Sequence, residues 1–145
     1  MRYLGIDLGS KTVGLAISDT TLTIATSLKT IFFQNEDYFS TINEIKNIIN
    51  EYDIKKIILG LPKNMNNTLG ERAKITTEYK KMLEDNVDVP VIFFDERLTS
   101  VISNSILIEA DISRKKRKKK VDSIAAQIIL QDYLNKEKNE YEQGK

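Results

Sequence analysis

The first nineteen residues, Met1–Asp19, read MRYLGIDLGSKTVGLAISD and decide the fold of the chain. Two short apolar runs in this stretch, residues 3–7 and 13–17, are rich in strand-forming side chains. The residues between them, Leu8–Thr12, have the length and glycine content of a hairpin connection. Asp7 therefore stands at the end of a predicted central strand. A carboxylate there is costly unless a positive or hydrogen-bonding group meets it.

The next part of the chain predicts a third strand, a helix and a fourth strand. Residues 24–33 favour a strand, which completes an antiparallel meander with the first two. Apolar side chains then recur at steps of three and four over residues 37–52, as in a helix that buries one stripe. The near-continuous apolar run 56–61 is typical of a parallel strand that is covered on both faces.

The second half continues the alternation of helices and strands. Thr68 followed by Glu71 has the form of a capping box for a second helix, whose inward residues would include Leu69, Ala73, Thr76 and Leu83. Residues 91–94 predict a fifth strand, residues 101–110 a third helix and residues 122–136 a last helix. The order predicts an α/β fold in which one mixed sheet carries helices on its faces.

Composition limits the chemistry that this chain can perform. At 145 residues it has the size of one domain, and it contains neither Cys nor His. Disulfides, thiolate and imidazole catalysis and sites built on Cys or His ligands are thereby excluded. No apolar run approaches the ~20 residues of a membrane helix, and no signal peptide is evident. We therefore expect a cytoplasmic protein without a membrane partner.

One cationic segment stands out against an acidic background. Residues 114–120 read RKKRKKK, and their seven charges exceed the net +1 of the chain, which leaves −6 on the other 138 residues. Lysine and arginine that neutralise phosphates gain free energy from counterion release, so the run is a candidate contact for nucleic acid. Taken alone, the run fits a solvated loop between two helices equally well.

Three carboxylates stand where the predicted elements end or begin. Asp7 ends the first strand, Glu96 follows the fifth strand together with Asp95, and Asp122 begins the last helix on its inward side. If the first, fourth and fifth strands are parallel neighbours, Asp7 and Glu96 share a sheet edge, to which a packed helix could bring Asp122. Carboxylates gathered in this way suit Mg²⁺ or Mn²⁺, and two such ions can promote phosphodiester hydrolysis.

Each of these residues also has a simpler interpretation. An isolated Asp at a strand end commonly forms a turn, and Asp122 would be an ordinary helix N-cap that contributes about 1 kcal/mol to stability. Asp95 and Glu96 would point to opposite faces of a strand, so only one of them is expected at a metal site.

Four motifs together resemble a known family. GIDLGSKTVGLAISD, ILGLPKNMNNTLGERAK, FFDERLTS and SRKKRKKKVDSIAAQIILQDYL occur in the order and spacing of the YqgF family. Its members are Holliday-junction-resolvase-like proteins described as nucleases of pre-16S ribosomal RNA. The resemblance spans residues 3–133 and implies a ribonuclease H-like domain, which we assign to residues 1–136. The tail, residues 137–145, has little apolar content, so we expect it to fray.

The resemblance also implies roles for individual residues. The acidic positions of the family fall on Asp7, Glu96 and Asp122, which would be catalytic and would bind Mg²⁺ or Mn²⁺, as two ions. The basic positions of its motifs fall on Lys11, Arg72 and Arg97, which would meet phosphates. The cationic run would add seven further contacts, namely Arg114, Lys115, Lys116, Arg117, Lys118, Lys119 and Lys120. The chain departs from the family at Leu8, where Phe is frequent, and at residues 66–67, where Asp-Gly is usual.

Several functions remain open at this point. A metal-dependent nuclease could process the 5′ end of pre-16S rRNA on a ribosome precursor, or resolve branched DNA as a Holliday junction resolvase, and it could be a monomer or a homodimer. A non-catalytic RNA-binding module is an alternative from another class. A sugar kinase or actin-like ATPase is a third, since DLGS followed by Lys11 resembles a phosphate loop, but such proteins need two lobes.

Overall fold

The structure is a computed structural model that describes residues 1–9, 11–34, 37–61, 71–95 and 114–143. Within those ranges, side chains are described except for residues 71–72, 114–123 and 140–143. The described elements are five strands and three helices. They are β1 Arg2–Leu8, β2 Thr12–Ser18, β3 Ala25–Phe32, α1 Tyr38–Tyr52, β4 Ile54–Leu61, α2 Glu71–Asn86, β5 Val91–Asp95 and α3 Arg114–Gln143.

The strands form one mixed sheet in the order β3-β2-β1-β4-β5. β2 is antiparallel to β1 and to β3, whereas β1, β4 and β5 are parallel neighbours. This confirms the predicted α/β fold with five strands, and each predicted strand agrees with the structure to within two residues. The same register aligns the carboxyl ends of β1, β4 and β5, because Ile6 lies beside Leu59 and Leu59 lies beside Phe93.

Helices cover both faces of this sheet. On one face, α1 and α2 contribute Ile45 and Leu83 to a core with Leu4 and Ile6 of β1. On the other face, which we call the α3 face, Tyr3 packs with buried residues of α3 in a second core. The inward residues of α3 are Ala126, Ile129, Leu130 and Leu134. Residues of β1 thus alternate between two apolar cores, as the period of a strand requires.

The ends of α1 and the inward side of α2 follow the sequence predictions. Asp37 caps α1 by accepting a hydrogen bond from the Ser40 backbone N–H at 3.3 Å. Ala73, Thr76 and Leu83 of α2 are buried. Thr68, Leu69 and the predicted helix over residues 101–110 lie outside the described residues.

The predicted bounds of the last helix were wrong at both ends. α3 begins at Arg114 instead of Asp122 and ends at Gln143 instead of Lys136, so the cationic run is helical rather than a connecting loop. Repulsion between neighbouring lysines costs only a few tenths of a kcal/mol per pair, and Lys and Arg are good helix formers. No Gly or Pro interrupts the segment. The division into a domain, residues 1–136, and a frayed tail, residues 137–145, stays a prediction, although α3 itself continues through residue 143.

Gly5 allows α3 to lie close against the centre of the sheet. A Cβ atom built on Gly5 would lie 2.8 Å from Leu130 Cβ and 3.0 Å from the Ala126 carbonyl oxygen. Such distances are shorter than van der Waals contact, so a side chain at residue 5 would push the helix away. Gly5 therefore sets both the distance and the position of α3 over β1.

Candidate functional site

Asp7 lies on the α3 face at the carboxyl end of β1. Tyr3 packs in the core under α3 and Gly5 touches that helix, so the alternation of the strand places Asp7 on the same face. Asp7 is opposite Gly14 of β2 and is half-buried. This is the place that the sequence predicted for it.

Helix α3 runs antiparallel to β1 and brings Asp122 towards the same end. Glu137 reaches Tyr3 near the start of β1, whereas Ala126 and Leu130 meet Gly5 further along. The direction from Tyr3 towards Asp7 is therefore the direction towards the start of α3. Asp122 precedes Ala126 by one helical turn and occupies the same side of the helix. The backbone thus places Asp122 over the carboxyl end of β1.

The third predicted carboxylate, Glu96, lies outside the described residues, but its neighbour Asp95 is described. Phe94 packs in the core under α3 and Phe93 in the core on the other face. By the same alternation, Asp95 lies on the face away from α3 and away from Asp7. Among the side chains that the structure describes, no three acidic groups gather into a metal site. The predicted grouping of Asp7, Glu96 and Asp122 stays a prediction.

The structure describes the backbone positions of most of the predicted basic residues. Lys11 is exposed in the connection between β1 and β2, and its carbonyl oxygen accepts a hydrogen bond from the Phe33 backbone N–H at 3.0 Å. Arg72 is the second residue of α2, and Arg97 lies outside the described residues. The cationic run forms the first two turns of α3.

A polar cluster that the sequence analysis missed anchors the other half of α3. Glu137 accepts hydrogen bonds from Tyr3 and Tyr133, each at 3.0 Å, and forms an ion pair with Lys56 at 3.0 Å. The Lys56 ammonium also donates to the Tyr133 hydroxyl at 3.1 Å and lies 4.8 Å from the centre of the Tyr3 ring. We call these four residues the Lys56–Glu137 cluster. It ties α3 to β1 and β4.

The charges of the Lys56–Glu137 cluster stabilise one another. Partial burial alone would raise the pKa of Glu137, but hydrogen bonds from Lys56, Tyr133 and Tyr3 outweigh burial and lower that pKa. Burial alone would likewise lower the pKa of Lys56, but its bonds to Tyr133 and Glu137 raise it. The spacing of Tyr133 and Glu137, four residues apart in line with Ala126, was the signal in the sequence that could have revealed the cluster.

Two glutamines hold the edge strand β3 against the same helix. The Ala25 backbone N–H donates to Gln131 Oε1 at 2.8 Å, and Gln127 Nε2 donates to the Ala25 carbonyl oxygen at 3.0 Å. Gln131 Nε2 also donates to the Thr23 carbonyl oxygen at 2.9 Å. These side chains satisfy backbone groups that an edge strand would otherwise leave to solvent. Helix α3 is thus bonded to β1, β3 and β4.

The order of the strands, with helices on both faces of the sheet, defines the class of the protein as a ribonuclease H-like fold. The chain superposes on Thermus thermophilus RuvC, solved in complex with a Holliday junction substrate, with a TM-score of 0.59. The match covers 94% of this chain and 96% of that one at 13% identity. The fowlpox virus Holliday junction resolvase superposes with a TM-score of 0.56. This match covers 94% of this chain and 99% of that one at 18% identity. These likenesses establish the predicted fold.

Sequence comparison then gives the family. Residues 1–136 match the family described as "RuvX: Holliday junction resolvase". A protein from Listeria monocytogenes serotype 4b (strain CLIP80459) is 46% identical over 93% of this chain and 98% of its own length. A protein from Thermoanaerobacter pseudethanolicus is 48% identical over 96% of this chain and 99% of its own length. Both carry the name "Putative pre-16S rRNA nuclease". The chain belongs to the RuvX family of nucleases, which is the YqgF family of the sequence resemblance.

Within the described ranges, no helix is long and apolar enough to cross a membrane.

Replacing Glu137 tests the Lys56–Glu137 cluster. We expect Glu137→Gln to lower the free energy of unfolding at pH 7 by about 1 kcal/mol. This is below the roughly 1.5–3 kcal/mol of hydrogen bonds to a charged group, because the carboxylate is 36% exposed and therefore screened by solvent. Glu137 has a lowered pKa in the folded state, so its contribution is present above the ordinary pKa of 4.5 and is lost as the pH falls through the lowered value. The difference in the free energy of unfolding between wild type and Glu137→Gln should therefore disappear in acid. Urea unfolding at several pH values measures it.

The surface pair Lys80–Glu84, four residues apart on α2, provides the control for this experiment. Glu84→Gln should cost less than about 0.5 kcal/mol. Equal losses for Glu84→Gln and Glu137→Gln would contradict an anchoring role for the cluster.

Proposed function

We propose that this chain is a divalent-metal-dependent nuclease that processes the 5′ end of pre-16S rRNA in the cytoplasm. The observation that carries the proposal is the position of Asp7, half-buried at the carboxyl end of β1 and on the face that α3 covers. The relatives named for pre-16S rRNA match nearly the full length of the chain, which supports the choice of substrate.

The donor groups of the chain fit a hard divalent cation. Since the chain contains no Cys and no His, carboxylate oxygens are its strongest available metal ligands, and these suit Mg²⁺ or Mn²⁺. Asp7, Glu96 and Asp122 would hold the metal, as one or two ions. When bound, the metal would supply a nucleophilic water at neutral pH and stabilise charge on phosphate oxygens.

Two features of the fold support our joint assignment of these three residues. β1 holds Asp7 in a rigid sheet, and α3, positioned by Gly5 and the Lys56–Glu137 cluster, carries Asp122 above it. Asp95 lies on the opposite face of β5, so we assign the third carboxylate to Glu96, the next residue in the sequence. A site supported by a strand and a packed helix holds its ligands more firmly than one supported by loops.

The cationic start of α3 supplies the proposed contact with phosphates. Twelve residues separate Arg114 from Ala126, so this part of the helix extends roughly 18 Å beyond the contact with Gly5, past the edge where Asp7 lies. Lys115 and Lys119 precede Asp122 and Ala126 by seven residues, or two turns, and occupy the same side of the helix. We propose that this side of the run, together with Lys11, Arg72 and Arg97, guides the phosphate backbone into the site.

A second candidate function is the resolution of branched DNA. The protein would act on it as a monomer or as a homodimer, and a homodimer would match the symmetry of a four-way junction. The description of the family and the likeness to RuvC favour it as an alternative. Cleavage of a pre-16S 5′ fragment and of a four-way DNA junction, side by side in Mg²⁺ or Mn²⁺, separates the two. Preferential cleavage of the RNA supports the proposal.

Tight RNA binding without cleavage of either substrate would favour a non-catalytic binding module. Binding of the protein to isolated ribosome precursors tests whether these particles are a further partner.

Exchange of the carboxylates tests the site. Asp7→Asn should reduce cleavage of the RNA fragment by more than about 100-fold, because loss of a direct metal ligand should exceed the loss measured for residues that only support ligands. The matched control is Asp95→Asn, which removes the same charge on the other face of the sheet and should keep activity within about ten-fold of wild type. Initial rates at saturating Mg²⁺ measure both. Similar rates for wild type and Asp7→Asn would exclude Asp7 as a ligand.

Paired substitutions in the cationic run test its orientation. Lys115→Gln with Lys119→Gln should weaken RNA binding and lower the slope of log affinity against log salt by up to about 1.4 for a single-stranded RNA. Arg114→Gln with Arg117→Gln removes the same charge at positions about 120° and 180° around the helix from Ala126, and should have the smaller effect. Fluorescence anisotropy over a salt series measures the slopes. If both pairs change affinity and slope equally, the run acts only through its total charge.

A further inference from the structure

Phe32 is an apolar ring that the fold leaves uncovered near the proposed site. It is the last residue of β3 and its side chain is 70% exposed, although its neighbours Ile31 and Phe33 are buried. Ile31 and Phe33 belong to the core under α1 and α2, so the alternation of the strand places Phe32 on the α3 face. Phe32 and Asp7 therefore share one face of the sheet.

The strand register also places Phe32 at the same edge as Asp7. Asp7 lies opposite Gly14, and Gly14 lies opposite Thr30. Phe32 is two residues further along β3 and pairs with Thr12. With strands about 4.8 Å apart and about 3.3 Å per residue, the Cα atoms of Phe32 and Asp7 are separated by roughly 12 Å. This is a distance that one or two nucleotides can span.

An exposed lysine lies in the segment that pairs with Phe32. Lys11 is exposed and directly precedes Thr12, the partner of Phe32. The hydrogen bond from the Phe33 backbone N–H to the Lys11 carbonyl oxygen fixes the two segments side by side at 3.0 Å. An exposed ring and an exposed lysine on two paired segments of the chain match the two halves of a nucleotide, a base that stacks and a phosphate that is negatively charged.

We infer that Phe32 is a stacking platform for an unpaired base of the substrate, close to the bond that is cut. The inference rests on the proposed nuclease function and adds to it the class of substrate, which is a single-stranded segment next to the cleavage site. Bases inside a duplex are already stacked on their neighbours, so only an unpaired base has a free face for the ring. The contact would be tolerant of sequence, since every base has such a face.

The experiment compares Phe32 with Phe39, a second phenylalanine that is 52% exposed but lies on α1, on the other side of the sheet. Binding of a fluorescein-labelled single-stranded 12-nucleotide RNA and of a 12-base-pair RNA duplex is measured by anisotropy in EDTA, so that nothing is cleaved. Phe32→Ala should weaken single-strand binding on the order of 10-fold and duplex binding by less than about 2-fold. Phe39→Ala should leave both unchanged.

Two further variants separate stacking from general apolar contact. Phe32→Trp should restore single-strand affinity, whereas Phe32→Leu should not, because leucine has no aromatic face. The salt dependence of binding should be the same in wild type and Phe32→Ala, since no phosphate contact is removed.

Three results would overturn the inference. They are wild-type affinity in Phe32→Ala, an equal loss in Phe39→Ala, and a fall in sedimentation mass in Phe32→Ala, which would make the ring part of an interface between two copies of the chain. Because binding is measured without cleavage, these results are independent of the nuclease proposal. Failure of the wild-type protein to cut RNA would leave the binding comparison intact.

Discussion

The close contact between α3 and Gly5 is the constraint on which the rest of this molecule depends. A β-carbon at residue 5 would lie 2.8 Å from Leu130 Cβ, so only glycine lets the helix settle on the centre of the sheet. Once α3 is there, its direction and register follow. Asp122 then occupies the turn above the carboxyl end of β1, where Asp7 lies. The positions of Asp7 and Asp122 near one edge of the sheet thus follow from packing around one small residue.

Helix α3 divides into three parts with different physical roles. Its middle is apolar and fills the second core, and the later part is tied to β1 and β4 through the ion pair between Glu137 and Lys56. Its first two turns carry seven positive charges, while the rest of the chain carries −6. Anchoring at one end allows the cationic end to extend beyond the sheet edge at a defined angle. The proposed guidance of phosphates towards the carboxylates requires such an arrangement.

Sequence patterns predicted the sheet well and the last helix poorly, for physical reasons. Strand alternation and hairpin length are local properties, so the first three strands and the place of Asp7 could be identified directly. The helical state of residues 114–120 could not, because the run RKKRKKK contains no apolar residue and so shows no helical periodicity. Helix propensity and the packed remainder of α3 nevertheless favour a helix there. Glu137 was missed because its partner Lys56 is 81 residues away. The exposure of Phe32 likewise depends on which elements leave its face uncovered.

The most direct test of the central claim is the proximity of residues 7 and 122 in solution. The chain has no cysteine, so the pair Asp7→Cys and Asp122→Cys introduces the only two thiols, and cross-linking by a short bismaleimide can be followed by peptide mass spectrometry. The comparison pair is Asp95→Cys with Asp122→Cys, since residue 95 lies on the other face. Rapid cross-linking of 7 to 122, with little of 95 to 122, is the predicted result. The reverse order of rates would contradict the account.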